Sequence, residues 1–569
     1  MGVTGLDFYM RKKVSNGCTL VDIRNEIRKF KSTASTTTLV FDFQSLYESS
    51  CSPDLSGVLC GGRYELVFHL VERFLQQLQQ LGVKLVFFND GVFKKSKKFA
   101  VWTARHNAAY ERELQIIDSV DNGDDLRTLV GKYRRSIPVN TQYPLKSLAK
   151  RYGEFRLSVT GETKKEMVAY ANSVNALAII SNNSDMMIFR GNWRFWSSKD
   201  LSFEKLTTRE FSRSALRTHL GLDEKQLALF ATLASNNGFI RSEELASFRQ
   251  RHLINQYEFQ ELAEFVRKPH TDLKVEVEIF GTSANVDAIR KGFQESLDYY
   301  GADFIEQEPS SSEDPMLNFL KEREKAFLYK LWTGVISHYA LTLIDLRDDG
   351  FGAEYPTLSL KIILREAAIA VYHCRDRSSR IFITKTSHTN GYAEQTCALE
   401  FPQHIEPPTL QELLSTDPAT HAKLADTKLK LYCWIISDNL DHRQLDAIPP
   451  KMMPTVATLY FLVEHQVVEL FEADLLLYVA YEVVLKKYDM INIRYPKKLD
   501  GRAFRVAFLY NAVSQHVLKS LNVVGLDCLG YPEYPQFDGV RFHNLYRDWS
   551  RGNRNLEQIQ SWRIYANIF

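Results

Sequence analysis

The chain has 569 residues, 45% of them apolar, which is enough for at least two domains with substantial cores. Its 71 basic and 69 acidic residues give a net charge of +2. This value neither requires nor excludes a nucleic-acid partner, because a basic patch can occupy part of a neutral surface. Seven scattered cysteines without a CxxC pair argue against a zinc ribbon or a disulfide framework. Without an apolar signal region or a stretch able to span a bilayer, we expect no membrane segment and an intracellular protein, cytoplasmic, nuclear or both.

Predicted strands alternate with predicted helices in the first half of the chain. Short apolar runs at 38–43, 84–88 and 177–180 predict buried strands, and helical spacing of apolar residues predicts helices at 63–81 and about 164–172. Nearly continuous apolar strands that alternate with helices are typical of a parallel sheet flanked by helices. The fold class predicted for this half is therefore α/β.

A polar segment at 306–318 has the composition of a linker, which predicts one domain at 1–305 and a second at 319–569. The second domain is mostly helical in pattern, notably at 454–471 and 472–487, with a small β-rich part at 379–401. Because it shows no chemical motif, we interpret it as a scaffold domain that binds protein partners.

Carboxylates follow the predicted strands. Asp42 ends the first strand, Asp90 follows the second, Asp185 follows the third, and Glu162 opens the helix before the third strand. Ligands of open parallel sheets collect beyond the carboxyl ends of the strands, and clustered carboxylates supply the oxygen ligands that Mg²⁺ needs. Taken singly, Asp90 reads as a turn residue and Glu162 as a favourable first-turn charge. The four together favour a shared site.

The order of these motifs resembles that of flap-endonuclease-type nucleases, which have an XPG-like or PIN-like domain. The opening segment 1–6, Met-Gly-Val-Thr-Gly-Leu, is similar to that family's Met-Gly-Ile-x-Gly-Leu, and the four acids follow in the family's order. The resemblance implies a PIN/flap-endonuclease-like sheet and a metal-dependent site at these acids.

Three positions depart from the pattern of active nucleases. Lys164, Asn183 and Asn236 stand where the resemblance implies acids. Two-metal phosphodiester cleavage needs carboxylates that hold two ions about 4 Å apart. We therefore predict a pseudonuclease with a vestigial acidic cluster, without a metal or cofactor beyond weak residual Mg²⁺ or Mn²⁺ binding. The ammonium of Lys164 could replace one cation by pairing with Asp42, Asp90 or Asp185.

Other segments are similar to the constitutive coactivator of PPAR-gamma-like family. Residues 233–248 resemble that family's Leu-Gly-Asn segment and its Asp-Glu-Asp-Leu-Ala-Ser-Phe. Residues 87–91 resemble Phe-Phe-Asn-Gly with Asp90 inserted, and 537–542 resemble Phe-Asp-Gly-x-x-Phe. This resemblance implies a non-catalytic, RNA-associated scaffold or coactivator.

Two basic clusters are candidate nucleic-acid contacts, because clustered cations neutralise phosphates without reading sequence. They consist of Lys94, Lys95, Lys97 and Lys98, and of Arg134 and Arg135. A solvated helix face is the alternative for the lysines. Aromatic residues at 193–196 are candidates for base stacking or for the core, and the Arg- and Trp-rich segment 541–562 for a partner contact or a docked helix.

Three functions remain open at this level. The first is a scaffold that binds RNA and assembles a ribonucleoprotein or post-transcriptional regulatory complex. The second is a residual metal-dependent, structure-specific nuclease that uses the four acids. The third is a protein-only scaffold or coactivator without nucleic-acid contact.

Overall fold

The computed structural model describes two compact units. The described residues are 2–32, 36–90, 97–134, 137, 142–158, 163–235, 237–255, 258–268, 286–301, 314–333, 335–339, 342–347, 351–374, 380–387, 391–527 and 530–553. The first unit consists of Met1–Ser50, Val71–Trp102 and Ala149–Ser310. The second consists of Cys51–Leu70, Thr103–Leu148 and Ser311–Phe569.

A seven-stranded sheet forms the centre of the first unit. Its strands are β1 (Cys18–Asp22), β2 (Thr37–Asp42), β3 (Val83–Asn89), β4 (Glu154–Leu157), β5 (Ala178–Ser181), β6 (Arg194–Ser197) and β7 (Thr207–Phe211). They lie in the spatial order β1-β7-β6-β5-β2-β3-β4. The strands from β6 to β4 are parallel to one another, whereas β7 is antiparallel to β6 and β1 to β7. The three predicted strands and the α/β class are confirmed.

Helices flank this sheet and connect its parallel strands. The helices of the chain through residue 301, including those of the second unit, are α1 (Leu6–Lys12), α2 (Ile23–Lys31), α3 (Phe43–Cys51), α4 (Leu55–Leu59), α5 (Tyr64–Gln80), α6 (Lys97–Asp121), α7 (Leu126–Tyr133), α8 (Gln142–Tyr152), α9 (Thr163–Ser173), α10 (Arg213–Leu220), α11 (Glu224–Ala234), α12 (Ser242–Arg251), α13 (Phe259–Arg267) and α14 (Val286–Gly301). The helices predicted at 63–81 and 164–172 are confirmed as α5 and α9. Local chemistry sets the ends of α10, since the Ser212 hydroxyl accepts from the Ala215 amide and Gly221 turns the chain with φ +63°.

The remainder of the second unit is mostly helical. Its elements are α15 (Pro315–Glu322), α16 (Ala326–Trp332), β8 (Val335–Tyr339), α17 (Phe351–Val371), β9 (Arg380–Ser387), β10 (Gly391–Ala398), α18 (Leu410–Leu413), α19 (Pro418–Ile436), α20 (His442–Asp446), α21 (Met453–Glu464), α22 (Leu470–Val484), α23 (Gly501–Val523) and α24 (Gly539–Ser550). Antiparallel β9 and β10, with β8 beside β9, confirm the β-rich part. The predicted break at 471/472 is wrong, because a capping box between Glu469 and Glu472 starts the second helix at Leu470.

Two segments from the first half of the chain belong to the helical unit. Tyr64 and Tyr110 are buried in its apolar core. The buried Arg63 guanidinium donates to the Asp538 carboxylate at 3.1 Å and to the Tyr495 hydroxyl at 3.1 Å. Residues 306–313 of the predicted linker lie outside the described residues, and Asp314 caps α15. In the described part, no helix is long and apolar enough to cross a membrane.

Candidate functional site

Three of the predicted acids lie beyond the carboxyl ends of neighbouring strands. Asp42 is the last residue of β2, Asp90 directly follows β3, and Asp185 lies in a 3₁₀ turn, Ser184–Met187, shortly after β5. Since β5, β2 and β3 are adjacent and parallel, their carboxyl ends share one edge of the sheet. Glu162 lies outside the described residues. Each of the three described carboxylates has its own partners within the fold.

Asp42 is held by hydroxyl groups. Its Oδ2 lies 2.7 Å from Ser45 Oγ in the first turn of α3 and accepts from Ser181 Oγ, at the end of β5, at 2.6 Å. Ser45 Oγ also accepts the Asn182 amide at 3.0 Å. Two of these partners, Ser181 and Asn182, belong to β5 and to the residue that follows it. The geometry therefore anchors Asp42 to the neighbouring strand.

Asp90 is joined to the helix that carries the replaced position 164. Its Oδ1 accepts a hydrogen bond of 2.5 Å from the hydroxyl of Thr163, the first residue of α9. The carboxylate also lies beside a helix N-terminus, where negative charge is favourable.

Asp185 is fully buried, with 0% of its surface exposed. Its Oδ1 accepts a hydrogen bond of 2.8 Å from the Tyr300 hydroxyl. Its Oδ2 lies 3.4 Å from Lys164 Nζ, 3.4 Å from Asn237 Nδ2 and 3.5 Å from the Tyr299 hydroxyl. A buried carboxylate is tolerated only when it is paired and hydrogen-bonded, and this environment supplies both.

The two tyrosines come from the last turn of α14. Burial, reinforced by the negative charge of Asp185, raises the pKa of Tyr300 well above its usual value, so its hydroxyl stays protonated and remains a donor. Tyr299 and Tyr300 pack edge-to-face with ring centroids 5.0 Å apart, and Phe189 lies 5.3 Å from the first ring and 6.0 Å from the second. Nothing in the spacing of a Tyr-Tyr pair more than a hundred residues from Asp185 indicates this contact.

The start of the chain packs against the same carboxylate. Gly2 has φ +95°, and a Cβ at this position would lie 2.6 Å from Asp185 Oδ1 and 2.7 Å from Asn183 Oδ1. Because real Cβ contacts are not that short, a larger residue would displace these side chains. The Ser184 hydroxyl donates to the Val3 carbonyl at 2.9 Å and holds the segment in place. The glycine at position 2 thus has a local steric reason.

The replaced positions serve structure in this site. The Asn183 side chain accepts the Asp185 amide at 3.0 Å and caps the 3₁₀ turn. Its Nδ2 is buried without a hydrogen-bond partner in the described part of the molecule. Lys164 pairs with Asp185, one of the three partners considered for it, with its side chain 21% exposed. Asn236 lies outside the described residues.

This donor set does not fit a divalent cation at Asp185. Hydroxyl and amide donors point at the carboxylate, and the ammonium at 3.4 Å would repel a metal ion. Within the described ranges, no group of three or more His, Cys, Asp or Glu side chains is arranged to hold a metal. The contacts around Asp185 instead form a closed network of hydrogen bonds and one ion pair.

Only some of the basic residues predicted to contact nucleic acid lie within the described residues. Lys94, Lys95 and Arg135 lie outside the described residues, Lys97 and Lys98 begin α6, and Arg134 is exposed at the end of α7.

Of the two alternatives for the aromatic residues at 193–196, the structure supports core packing over base stacking. Trp193, Phe195 and Trp196 are 8%, 5% and 0% exposed because they pack in the core. In the C-terminal Arg- and Trp-rich segment, Tyr546 and Trp549 on α24 are buried in the helical unit. They are therefore not available as surface anchors, and 554–562 lies outside the described residues.

Comparison with known proteins finds relatives named like the coactivator family that residues 233–248 resemble. The chain is similar to constitutive coactivators of peroxisome proliferator-activated receptor gamma. The Bos taurus protein is 26% identical over 261 residues, which cover 45% of this chain and 36% of the relative. The Homo sapiens protein is 28% identical over 262 residues, which cover 44% of this chain and 27% of the relative. The predicted resemblance is confirmed, although the match spans only about a third of the relatives' length. No family model matches the sequence.

Solved structures give a weaker likeness. The catalytic core of Rad2 in complex with a DNA substrate matches 56% of this chain and 93% of the Rad2 chain, with 13% sequence identity and a TM-score of 0.28. Another structure of the Rad2 catalytic core gives 14% identity and a TM-score of 0.26. Scores this low support no argument about activity, so the assignment to the α/β class depends on the strand order described above.

Proposed function

We propose that this chain is a non-catalytic, nuclease-like scaffold that binds protein partners and RNA in a ribonucleoprotein or post-transcriptional regulatory complex. The observation that carries the loss of catalysis is the environment of Asp185. Its carboxylate is fully buried and receives the Tyr300 hydroxyl at 2.8 Å, with the Lys164 ammonium 3.4 Å away. In this proposal, the acid that would bind a metal in a nuclease instead stabilises the fold. The protein then acts by binding its partners and not by cleaving nucleic acid.

The loss of cleavage follows from charge. Two-metal chemistry needs several carboxylates around two cations about 4 Å apart. Here Lys164 places a positive charge beside Asp185. Asn183 contributes only a neutral amide, which caps the 3₁₀ turn that contains Asp185. Binding a cation at Asp185 would require breaking the Tyr300 contact and displacing the ammonium. The free-energy cost of both changes opposes metal binding.

The protein-binding part of the proposal draws on the relatives. They are named constitutive coactivators of peroxisome proliferator-activated receptor gamma, and we extend to this chain the idea that it acts through protein partners, in the nucleus. The helical unit is compact and could present a surface for such contacts. In it, residues 51–70 and 103–148 join the core formed by residues after 311.

The RNA-binding part draws on the sequence. Lys94, Lys95, Lys97 and Lys98 form a cluster of four cations that can neutralise phosphates, and the exposed Arg134 belongs to a second cluster. Such binding is salt-sensitive and independent of base sequence. We therefore expect similar affinities for single-stranded RNAs of equal length and different sequence.

Crosslinking in cells followed by labelling of bound RNA tests this part. The full chain should yield labelled RNA, and a variant with Lys94, Lys95, Lys97 and Lys98 changed to Ala should lose most of the label. A matched control changes four exposed lysines elsewhere, Lys199, Lys205, Lys225 and Lys268, to Ala. Absence of label from the well-expressed full chain, or equal loss in both variants, would favour a protein-only scaffold.

A further inference from the structure

The two edges of the seven-stranded sheet differ in their chemistry. β4 forms one edge, where Glu154 pairs with Arg156 at 2.5 Å and with Lys84 of β3 at 2.9 Å. Charged side chains on an edge strand discourage the addition of another strand. β1 forms the opposite edge, reads Cys-Thr-Leu-Val-Asp, and carries no charge before its last residue. The described part of the chain has no strand paired to its outer side.

An apolar surface accompanies the uncharged edge. Leu20, in the middle of β1, is 67% exposed, and Phe8 on α1 is 63% exposed. Side chains alternate along a strand, so Leu20 points to the same face as Cys18. Cys18 packs against the core cluster that contains Leu6 and Met10 of α1. Leu20 therefore points to the face of the sheet on which α1 packs, and it lies on the unpaired edge strand.

The elements flanking β1 are basic. Residues 2–32 include seven basic and three acidic side chains. Lys12 and Lys13 at the end of α1, and Arg28 and Lys31 on α2, are exposed and have no ion-pair partner among the described residues. This charge favours an acidic partner and opposes pairing with a second copy of the same positive surface.

We propose that the outer edge of β1 binds an extended, acidic peptide segment of a partner protein, which adds to the sheet as an eighth strand. Main-chain hydrogen bonds to β1 supply affinity, as in other cases of strand addition. Alternate apolar side chains of the peptide cover Leu20, and its acids, which point to the opposite face of the sheet, face Arg28 and Lys31 of α2. This surface is separate from the acidic site, so the inference does not depend on loss of catalysis.

Fluorescence anisotropy with a labelled synthetic decapeptide of alternating Glu and Val tests the proposal on the full chain. Binding should be saturable, and Leu20→Lys should weaken it by about tenfold or more, equivalent to about 1.4 kcal/mol. Leu253→Lys is the matched control, since Leu253 is 86% exposed and lies just after the end of α12, outside β1 and its flanking helices. Thermal unfolding followed by circular dichroism should show both variants folded, because both positions are exposed.

Two further peptides separate strand addition from simple charge attraction. A Glu-Val peptide with N-methylated amides on one edge should lose binding, and a Lys-Val peptide should bind about tenfold more weakly or not at all. Hydrogen exchange of residues 18–22 should slow only with the unmodified acidic peptide. Absence of binding, equal binding by the N-methylated peptide, or an unchanged affinity of Leu20→Lys would overturn the proposal. So would a dimer in sedimentation that Leu20→Lys dissociates, since the occupant would then be a second copy.

Discussion

The Tyr300 hydroxyl donates a 2.8 Å hydrogen bond to the fully buried carboxylate of Asp185. This contact joins the last turn of α14 to the carboxyl edge of the sheet, at the acid that follows β5. It uses a carboxylate oxygen that a metal-dependent nuclease would direct at a cation. The proposed loss of catalysis and the stability of the fold can therefore be tested at the same residue pair.

Tyr300→Phe should destabilise the chain by about 1–3 kcal/mol, because it leaves one oxygen of a buried carboxylate without its shortest hydrogen bond. Urea unfolding at neutral pH measures the change. Tyr432→Phe is the control, since its buried hydroxyl has no hydrogen-bond partner within the described residues and its removal should cost under about 1 kcal/mol. Equal losses for the two variants would contradict the role assigned to Tyr300.

Lys164→Glu restores the acid that the nuclease pattern implies, yet we expect no cleavage and a loss of about 2–3 kcal/mol in the free energy of unfolding. The new carboxylate replaces the ammonium 3.4 Å from buried Asp185 with a like charge, and the partial exposure of position 164 limits the penalty. Lys225→Glu, at an exposed position on α11, should change stability by less than about 0.5 kcal/mol. A stable Lys164→Glu variant that cleaves DNA with Mn²⁺ would show that the site needs only one charge to recover.

Arg63→Ala should lower the stability of the helical unit by about 3–5 kcal/mol, because Asp538, 2% exposed, would lose its cationic partner. Tyr495 would lose its contact as well. Differential scanning calorimetry of the full chain measures the shift. The exposed Arg28 provides the control, and Arg28→Ala should leave the transition within about 0.5 kcal/mol of the parent. A small effect at Arg63 would mean that residues 51–70 are only loosely attached to the unit.

Glu113 should give the helical unit a specific pH dependence. Burial raises its pKa to about 7 from 4.5, while the Leu343 amide donates to it at 2.8 Å. Because the folded state holds this proton more tightly, its stabilising contribution is complete below about pH 4.5 and is lost as the pH rises through about 7. The loss amounts to roughly 3 kcal/mol. Unfolding curves of Glu113→Gln should therefore depend less on pH between about 5 and 8. Glu111→Gln, exposed on the same helix, should keep the parent's dependence.

The sequence predicts the framework because its signals are local. Apolar runs at 38–43, 84–88 and 177–180 place β2, β3 and β5, and parallel pairing then brings Asp42, Asp90 and Asp185 to one edge. β1 is not predicted, since its burial is low and its pairing with β7 joins residues nearly two hundred positions apart. Local patterns do not encode such contacts.

The partners of the acids are less predictable than the acids themselves. Pairing of Lys164 with Asp185 is one of three possibilities in the sequence, and only the packing of α9 selects it. Tyr300 and Asn237 reach Asp185 from α14 and from the turn after α11, through tertiary contacts without a sequence signature. The grouping of 51–70 with the helical unit also depends on distant pairs such as Arg63 and Asp538.

The most direct test of the central claim is the cleavage rate of a 5′-flap DNA by the full chain with Mn²⁺, beside Asp185→Ala and Asp42→Ala. The account predicts that all three proteins leave the substrate intact at the rate of the protein-free control, because Asp185 is committed to Tyr300 and Lys164. Cleavage by the parent chain that either substitution abolishes would contradict it and establish a residual metal-dependent nuclease.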